Sequence, residues 1–103
     1  MGFRLSLPAE EDAIRIAQEG IDLFGPQQAR KYHRELFAIF DLISRNPRIA
    51  RERNELSPSV RIHPFRAHLV VYRVEADDDV LIVRVRHGHE DWAMSLNPCH
   101  EVT

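Results

Sequence analysis

The sequence predicts one α+β domain: an N-terminal strand, an antiparallel helical hairpin, then a three-stranded antiparallel meander. Three observations predict it. Phe3, Leu5 and Leu7 alternate with polar residues. From Pro8 to Arg45, apolar residues recur every three or four positions, with one break at Gly25-Pro26. Runs rich in Val, Ile and Leu fill the chain after Ser59. With 103 residues the chain has room for one core, so 1–103 reads as a single domain with about 93–103 as a tail.

The alternation of Phe3, Leu5 and Leu7 with Arg4 and Ser6 is the period of a strand with one buried face. Pro8 suits a first helical turn, where its missing N–H costs nothing, and Glu10, Glu11 and Asp12 complement the positive end of the helix dipole. Ile14, Ala17, Ile21 and Phe24 are then the expected core stripe, with Glu11 and Arg15 as a surface i,i+4 pair. Gly25 accepts left-handed cap geometry and Pro26 opens the next helix.

The second helix carries Ala29, Tyr32, Leu36, Ile39 or Phe40, and Ile43 on one stripe and stops at Asn46-Pro47. It is roughly 30 Å long at about 1.5 Å per residue. So short a link lays the two helices antiparallel. Arg48 to Ser59 is polar and without period, and reads as a crossing loop.

Strands are expected at roughly Val60–Phe65, His68–Glu75 and Val80–His87, joined by turns at Arg66-Ala67 and at 76–79. Strict alternation sets Leu81, Val83 and Val85 against Ile82, Arg84 and Arg86, so the two arginines are expected on one face. The first strand is expected to pair with a meander strand.

A net charge of -2 does not recommend a nucleic-acid polyanion as partner, so any basic surface must be local. Cys99 is the single cysteine and can form no intrachain disulfide, which suits a reducing cytoplasm. No run approaches the roughly 18 apolar residues of a spanning helix, so a membrane role is not expected. His87, His89 and Glu90, with Cys99 and His100 nearby, hint at zinc. One cysteine with scattered histidines does not reproduce the paired-ligand spacing of structural sites, so no metal and no cofactor are expected. Cys99 beside Pro98 reads more plainly as a packing cysteine than as a nucleophile.

The remaining constellation is basic. Arg61, His63, Arg66 and His68 come from the first meander hairpin and Arg84, Arg86 and His87 from the last strand. On an antiparallel sheet they can converge on phosphate, on an RNA-cleaving site or on a carboxylate-bearing partner. The plain alternative is a solvated face balanced by Glu75 and Asp77 to Asp79. Trp92 follows the last strand, placed to pack on the helices or to anchor a partner.

Four stretches, in this order across nearly the whole chain, resemble ParE-type toxins of the ParE/RelE superfamily: Asn46-Pro47-Arg48-Ile49-Ala50, Arg61, His68-Leu69-Val70-Val71-Tyr72-Arg73-Val74, and Ile82-Val83-Arg84-Val85-Arg86-His87. The resemblance implies a bacterial type II toxin neutralised by a ParD-like antitoxin, whose disordered C-terminal segment folds around it. It also implies DNA gyrase as target, growth arrest and a part in plasmid stabilisation, whereas RelE relatives are ribosome-dependent mRNA endonucleases.

RelE-like enzymes commonly have an arginine three residues before the strand tyrosine, and here Leu69 precedes Tyr72. Lys31 is the only lysine, and no tyrosine follows Tyr72. These departures favour a gyrase-directed toxin with no catalytic residue and no sequence-specific nucleic-acid binding. The alternatives are a RelE-like RNase using Arg61, Arg84 and His87, or a nontoxic antitoxin-binding member. On the leading reading Arg61, Arg66, Arg84, Arg86, His87 and Trp92 are the expected target-binding residues. Ile14, Ile21, Tyr32, Leu36 and Phe40 on the hairpin are the expected antitoxin-binding residues.

Overall fold

The computed structural model describes residues 2–55 and 59–88. The elements run β1 (Phe3–Leu5), α1 (Leu7–Phe24), α2 (Pro26–Arg45), β2 (Glu52–Arg53), β3 (Val60–Phe65), β4 (His68–Val74) and β5 (Val80–His87). The strands form one sheet in the order β1-β5-β4-β3-β2, with the helical hairpin packed against it. The α+β class, the hairpin and the antiparallel meander are as the sequence predicts.

The first strand does pair with a meander strand, and two features of the sheet go beyond what the sequence predicts. β1 pairs parallel with β5, with Phe3 opposite Val80 and Leu5 opposite Ile82, so the sheet is mixed. The chain leaves β1 through the helices, and a connection of that length imposes no antiparallel partner. β2 lies inside the stretch read as a loop, pairing Glu52 with Arg61 and Arg53 with Val60. A two-residue strand is too short for any period to show.

Ser6 ends β1 and caps α1. Its Oγ accepts from the Ala9 amide at 3.1 Å, and Pro8 occupies the first turn. At the far end Gly25, with φ 90°, takes a conformation that a side chain would strain. Gly20 lets the helices approach closely: a Cβ there would lie 3.3 Å from the Ala29 Cβ.

The core stripe of α2 is as expected, with Ala29, Leu36, Phe40 and Ile43 buried. That of α1 is not. Ala9, Asp12, Ala13 and Ile16 face inward, while Ile14, Ile21 and Phe24 are 58%, 48% and 70% exposed. Small residues at i, i+4 let the helix sit close to β5, and the larger aliphatics turn outward. The core is completed by Val70, Tyr72, Val80, Ile82 and Val85, and Phe3 packs edge-on against Phe40 with ring centroids 5.6 Å apart.

A bulge in β5 explains why strict alternation fails there. Tyr72 lies opposite Ile82 and Val71 opposite Arg84, which leaves Val83 without an opposite number. Core positions therefore run Val80, Ile82, Val85, and Val85 leaves the face it was expected to share with Leu81 and Val83.

Candidate functional site

Where β1 ends, the edge of β5 is completed by side chains. The Ser6 amide donates to the Ile82 carbonyl at 3.0 Å and the Ser6 hydroxyl donates to the Val83 carbonyl at 2.8 Å. Next, Asp12 accepts the Val85 amide at 3.0 Å. The same carboxylate accepts from Arg84 Nε at 2.7 Å and Nη2 at 3.1 Å, and from Arg15 at 2.7 Å. Asp12 is 1% exposed. Burial alone would raise its pKa, but the hydrogen bonds from Arg84, Val85 and Arg15, with the charge of Arg84, hold it below the ordinary carboxylate value. Arg15 therefore serves Asp12 rather than Glu11.

A second polar knot fixes the turn after α2. The Tyr72 hydroxyl donates to the Pro47 carbonyl at 2.8 Å and accepts from the Ala50 amide at 3.4 Å, while Arg61 Nη1 donates to the Ala50 carbonyl at 2.7 Å. Burial raises the Tyr72 pKa, against the Ala50 hydrogen bond and the Arg61 charge. The motif residues Pro47, Ala50, Arg61 and Tyr72 are thus one structural unit.

The third cluster lies at the β3–β4 turn. Tyr32 on α2 sits edge-on to Phe65, and its hydroxyl is 2.7 Å from His68 Nδ1. His68 lies opposite His87, with ring centroids 5.4 Å apart. Arg66, at φ 52°, forms an ion pair with Glu35 at 2.6 Å.

Among the described residues, the expected target-binding side chains do not all start from one face of the sheet. Directly opposed residues on neighbouring strands share a face. Arg61, opposite buried Tyr72, and His87, opposite His68, therefore lie on the helix side. Arg86, opposite Leu69, starts on the other side, as does Arg84, opposite Val71, before its guanidinium reaches Asp12. Arg61 and His87 are four residues apart along the strands and two strands apart across them, roughly 16 Å in all. Trp92, His89, Cys99 and His100 lie outside the described residues.

Of the expected antitoxin contacts, Ile14 and Ile21 are exposed and Tyr32 is half-buried. Leu36 and Phe40 are corrections: both are 0% exposed, filling the core, and have no surface to offer a partner. The sequence showed only that the hairpin was amphipathic, not which apolar residues the sheet would consume.

A polar cavity of about 440 Å³ opens at the β2–β3–β4 corner. Its lining sets Arg48, Arg61 and Arg73 against Glu52, Glu75 and Asp78. Arg48 lies 3.8 Å from Asp78 and Arg73 3.4 Å from Glu75, so the wall largely neutralises itself. Among the described residues, no three His, Cys, Asp or Glu side chains gather closely enough to hold a metal ion, and no helix is long and apolar enough to cross a membrane.

Comparison with known proteins accords with this geometry. The family model for the ParE toxin of the type II toxin-antitoxin system, parDE, matches residues 3–92. Toxin ParE1 of Mycobacterium tuberculosis is 37% identical over 89 residues, covering 86% of this chain and 91% of that protein. Toxin ParE3 of Caulobacter vibrioides is 27% identical over 89 residues, covering 86% and 88%. The fold is shared with a solved structure of the chromosomal ParDE TA system from P. aeruginosa, with a TM-score of 0.67 at 18% identity over 84% of this chain and 95% of that one.

Proposed function

The chain belongs to the ParE toxin family of type II toxin-antitoxin systems, and on that footing we propose that it arrests growth by binding DNA gyrase in the cytoplasm, without a reaction of its own. A ParD-like antitoxin neutralises it by covering the helical hairpin. Stabilised gyrase–DNA cleavage complexes, rather than a cleaved RNA, are the toxic product.

The observation that carries this reading is the internal use of the arginines. Arg84 is bound to Asp12, and Arg61 to the Ala50 carbonyl. An RNase built on Arg61, Arg84 and His87 needs their polar ends within a few ångströms of one phosphate. Here the backbone positions of Arg61 and His87 stand roughly 16 Å apart along and across the strands, and the Arg61 and Arg84 guanidiniums are turned to Ala50 and Asp12. Leu69, in the position where RelE-like enzymes carry an arginine, supports the same conclusion. Recognition asks less of the fold, because a binding surface does not need its charges to converge on one atom.

The test uses the purified chain with gyrase and, separately, with translating ribosomes. The expected result is loss of supercoiling activity with accumulation of cleaved DNA. Cleavage of ribosome-bound mRNA with supercoiling intact would replace this reading with the RNase one. Harmless expression without antitoxin would point to a member that has kept only antitoxin binding.

A further inference from the structure

On its outward face α1 carries a second apolar stripe that the core does not use. Leu7, Ile14 and Ile21 follow one another at seven-residue intervals and are 74%, 58% and 48% exposed, and Phe24, one turn beyond Ile21, is 70% exposed. Seven-residue spacing, with Phe24 three residues beyond Ile21, is the spacing by which one helix surface meets a second helix. From Leu7 to Phe24 the seam is about 25 Å long, which a partner helix of four to five turns would cover.

Charge narrows the choice of partner. The exposed flanks of α1 carry Glu10, Glu11, Glu19 and Asp22, against Arg15, which Asp12 already holds at 2.7 Å. The chain's own stretch 89–103 contains Glu90, Asp91 and Glu101 and no lysine or arginine, so it is like-charged with the seam. A second copy offers either another acidic α1 or its basic α2. Among the exposed large apolar residues α2 presents only Leu42, too little to fill a seam of four.

We propose that Leu7, Ile14, Ile21 and Phe24 seat a basic amphipathic helix of the neutralising partner, and that Glu10, Glu11, Glu19 and Asp22 select it by charge. The inference rests on the antitoxin reading above and adds to it the chemistry of the segment that binds. Lysine or arginine beside the partner's apolar seam meets carboxylates, whereas glutamate there meets like charge.

Two synthetic helical peptides of about 18 residues test it, each with leucines at heptad spacing, one flanked by lysines and the other by glutamates. They are titrated against the intact chain at low and high salt. The lysine peptide is expected to bind at least about tenfold more tightly, with the preference shrinking as salt rises. Ile14→Asn with Ile21→Asn, both at exposed positions, should abolish binding while circular dichroism stays unchanged. Reversing the four acids to lysine should invert the preference.

Equal binding of the two peptides, or binding indifferent to Ile14 and Ile21, overturns the proposal. So does a dimer in light scattering that the same two substitutions dissolve, because the occupant would then be a second copy. Growth arrest and gyrase inhibition, measured without any partner, test the functional reading independently. Failure there leaves the peptide result to stand or fall by itself.

Discussion

Asp12 and Arg84 lie 72 positions apart in sequence and meet at 2.7 Å where β1 gives out and β5 bulges. The carboxylate takes two bonds from the guanidinium and one from the next backbone amide, so a helix, a strand edge and a bulge are fastened by one side chain. Removing one partner of a buried pair leaves the other uncompensated, at about 3–5 kcal/mol where burial is complete. Arg84 retains some solvent contact, with 24% of its side chain exposed, so the cost here should fall near about 3 kcal/mol. Asp12→Ala is therefore expected to lower the urea midpoint sharply with little change in m-value. A loss below about 0.5 kcal/mol, the scale of ordinary surface substitutions, would remove the pair from any structural role.

The same carboxylate sets an acid limb. Its pKa in the folded chain lies below the ordinary 3.8 because the hydrogen bonds and the Arg84 charge outweigh burial. A lowered native pKa means that the stabilisation is fully present above the unfolded value and is lost as pH falls through the native one. Ellipticity followed from neutral pH downward should hold until the pH drops beneath about 4, the unfolded carboxylate range, and then fall. In Asp12→Asn the starting stability is lower and this limb is flatter. An unchanged acid profile in that variant would assign the limb to other carboxylates.

What the sequence revealed and hid follows the same physics. The hairpin was legible because Gly25-Pro26 has few other uses, and the meander because its strands are long enough to show composition. Position alone makes Asp12 a complement to the helix dipole. Yet Ala9, Asp12, Ala13 and Ile16 stand at i, i+3, i+4 and i+7, and a carboxylate inside such a face demands a cation and hydrogen-bond donors to meet it. That signal could have located the pair. Nothing local marks the bulge at Val83, because it depends on how β4 and β5 register. Arg61 and Arg84 looked like surface charge since residue type alone does not disclose a partner 11 or 72 positions away.

Tyr72 and Arg61 hold the turn at 47–50, so their removal should loosen that turn before the sheet. Tyr72→Phe deletes the bonds to Pro47 and Ala50 while keeping the ring in the core, a loss of about 1–2 kcal/mol. Hydrogen exchange at the Ile49 and Ala50 amides should accelerate more than at Val70 or Val85. On the alkaline side burial keeps the Tyr72 pKa above 10.0, so its contribution is complete below the unfolded value and lost as pH rises through the native one. Stability should thus decline above about pH 10, less steeply in Tyr72→Phe. Uniform acceleration of exchange across all strands would contradict a local role for the hydroxyl.

Arg66 separates the demands of folding from those of recognition. It occupies a two-residue β-hairpin turn at φ 52°, a conformation that costs a non-glycine side chain about 1 kcal/mol or more. Its pair with Glu35 leaves 57% of the arginine side chain exposed and is worth about 0–1 kcal/mol after solvent screening. Arg66→Gly relieves the backbone but forfeits that pair and the guanidinium's contact over the Phe65 ring, 5.7 Å from its centroid, so stability should stay within about 1 kcal/mol of the parent in either direction. If Arg66 belongs to the surface that meets gyrase, the same variant should inhibit supercoiling about tenfold less well, the scale set by one lost charge-assisted contact. Arg66→Lys keeps the charge and the strain, and should retain most of the inhibition. Arg66→Gly that is both more stable and fully inhibitory would place the target surface elsewhere on the domain.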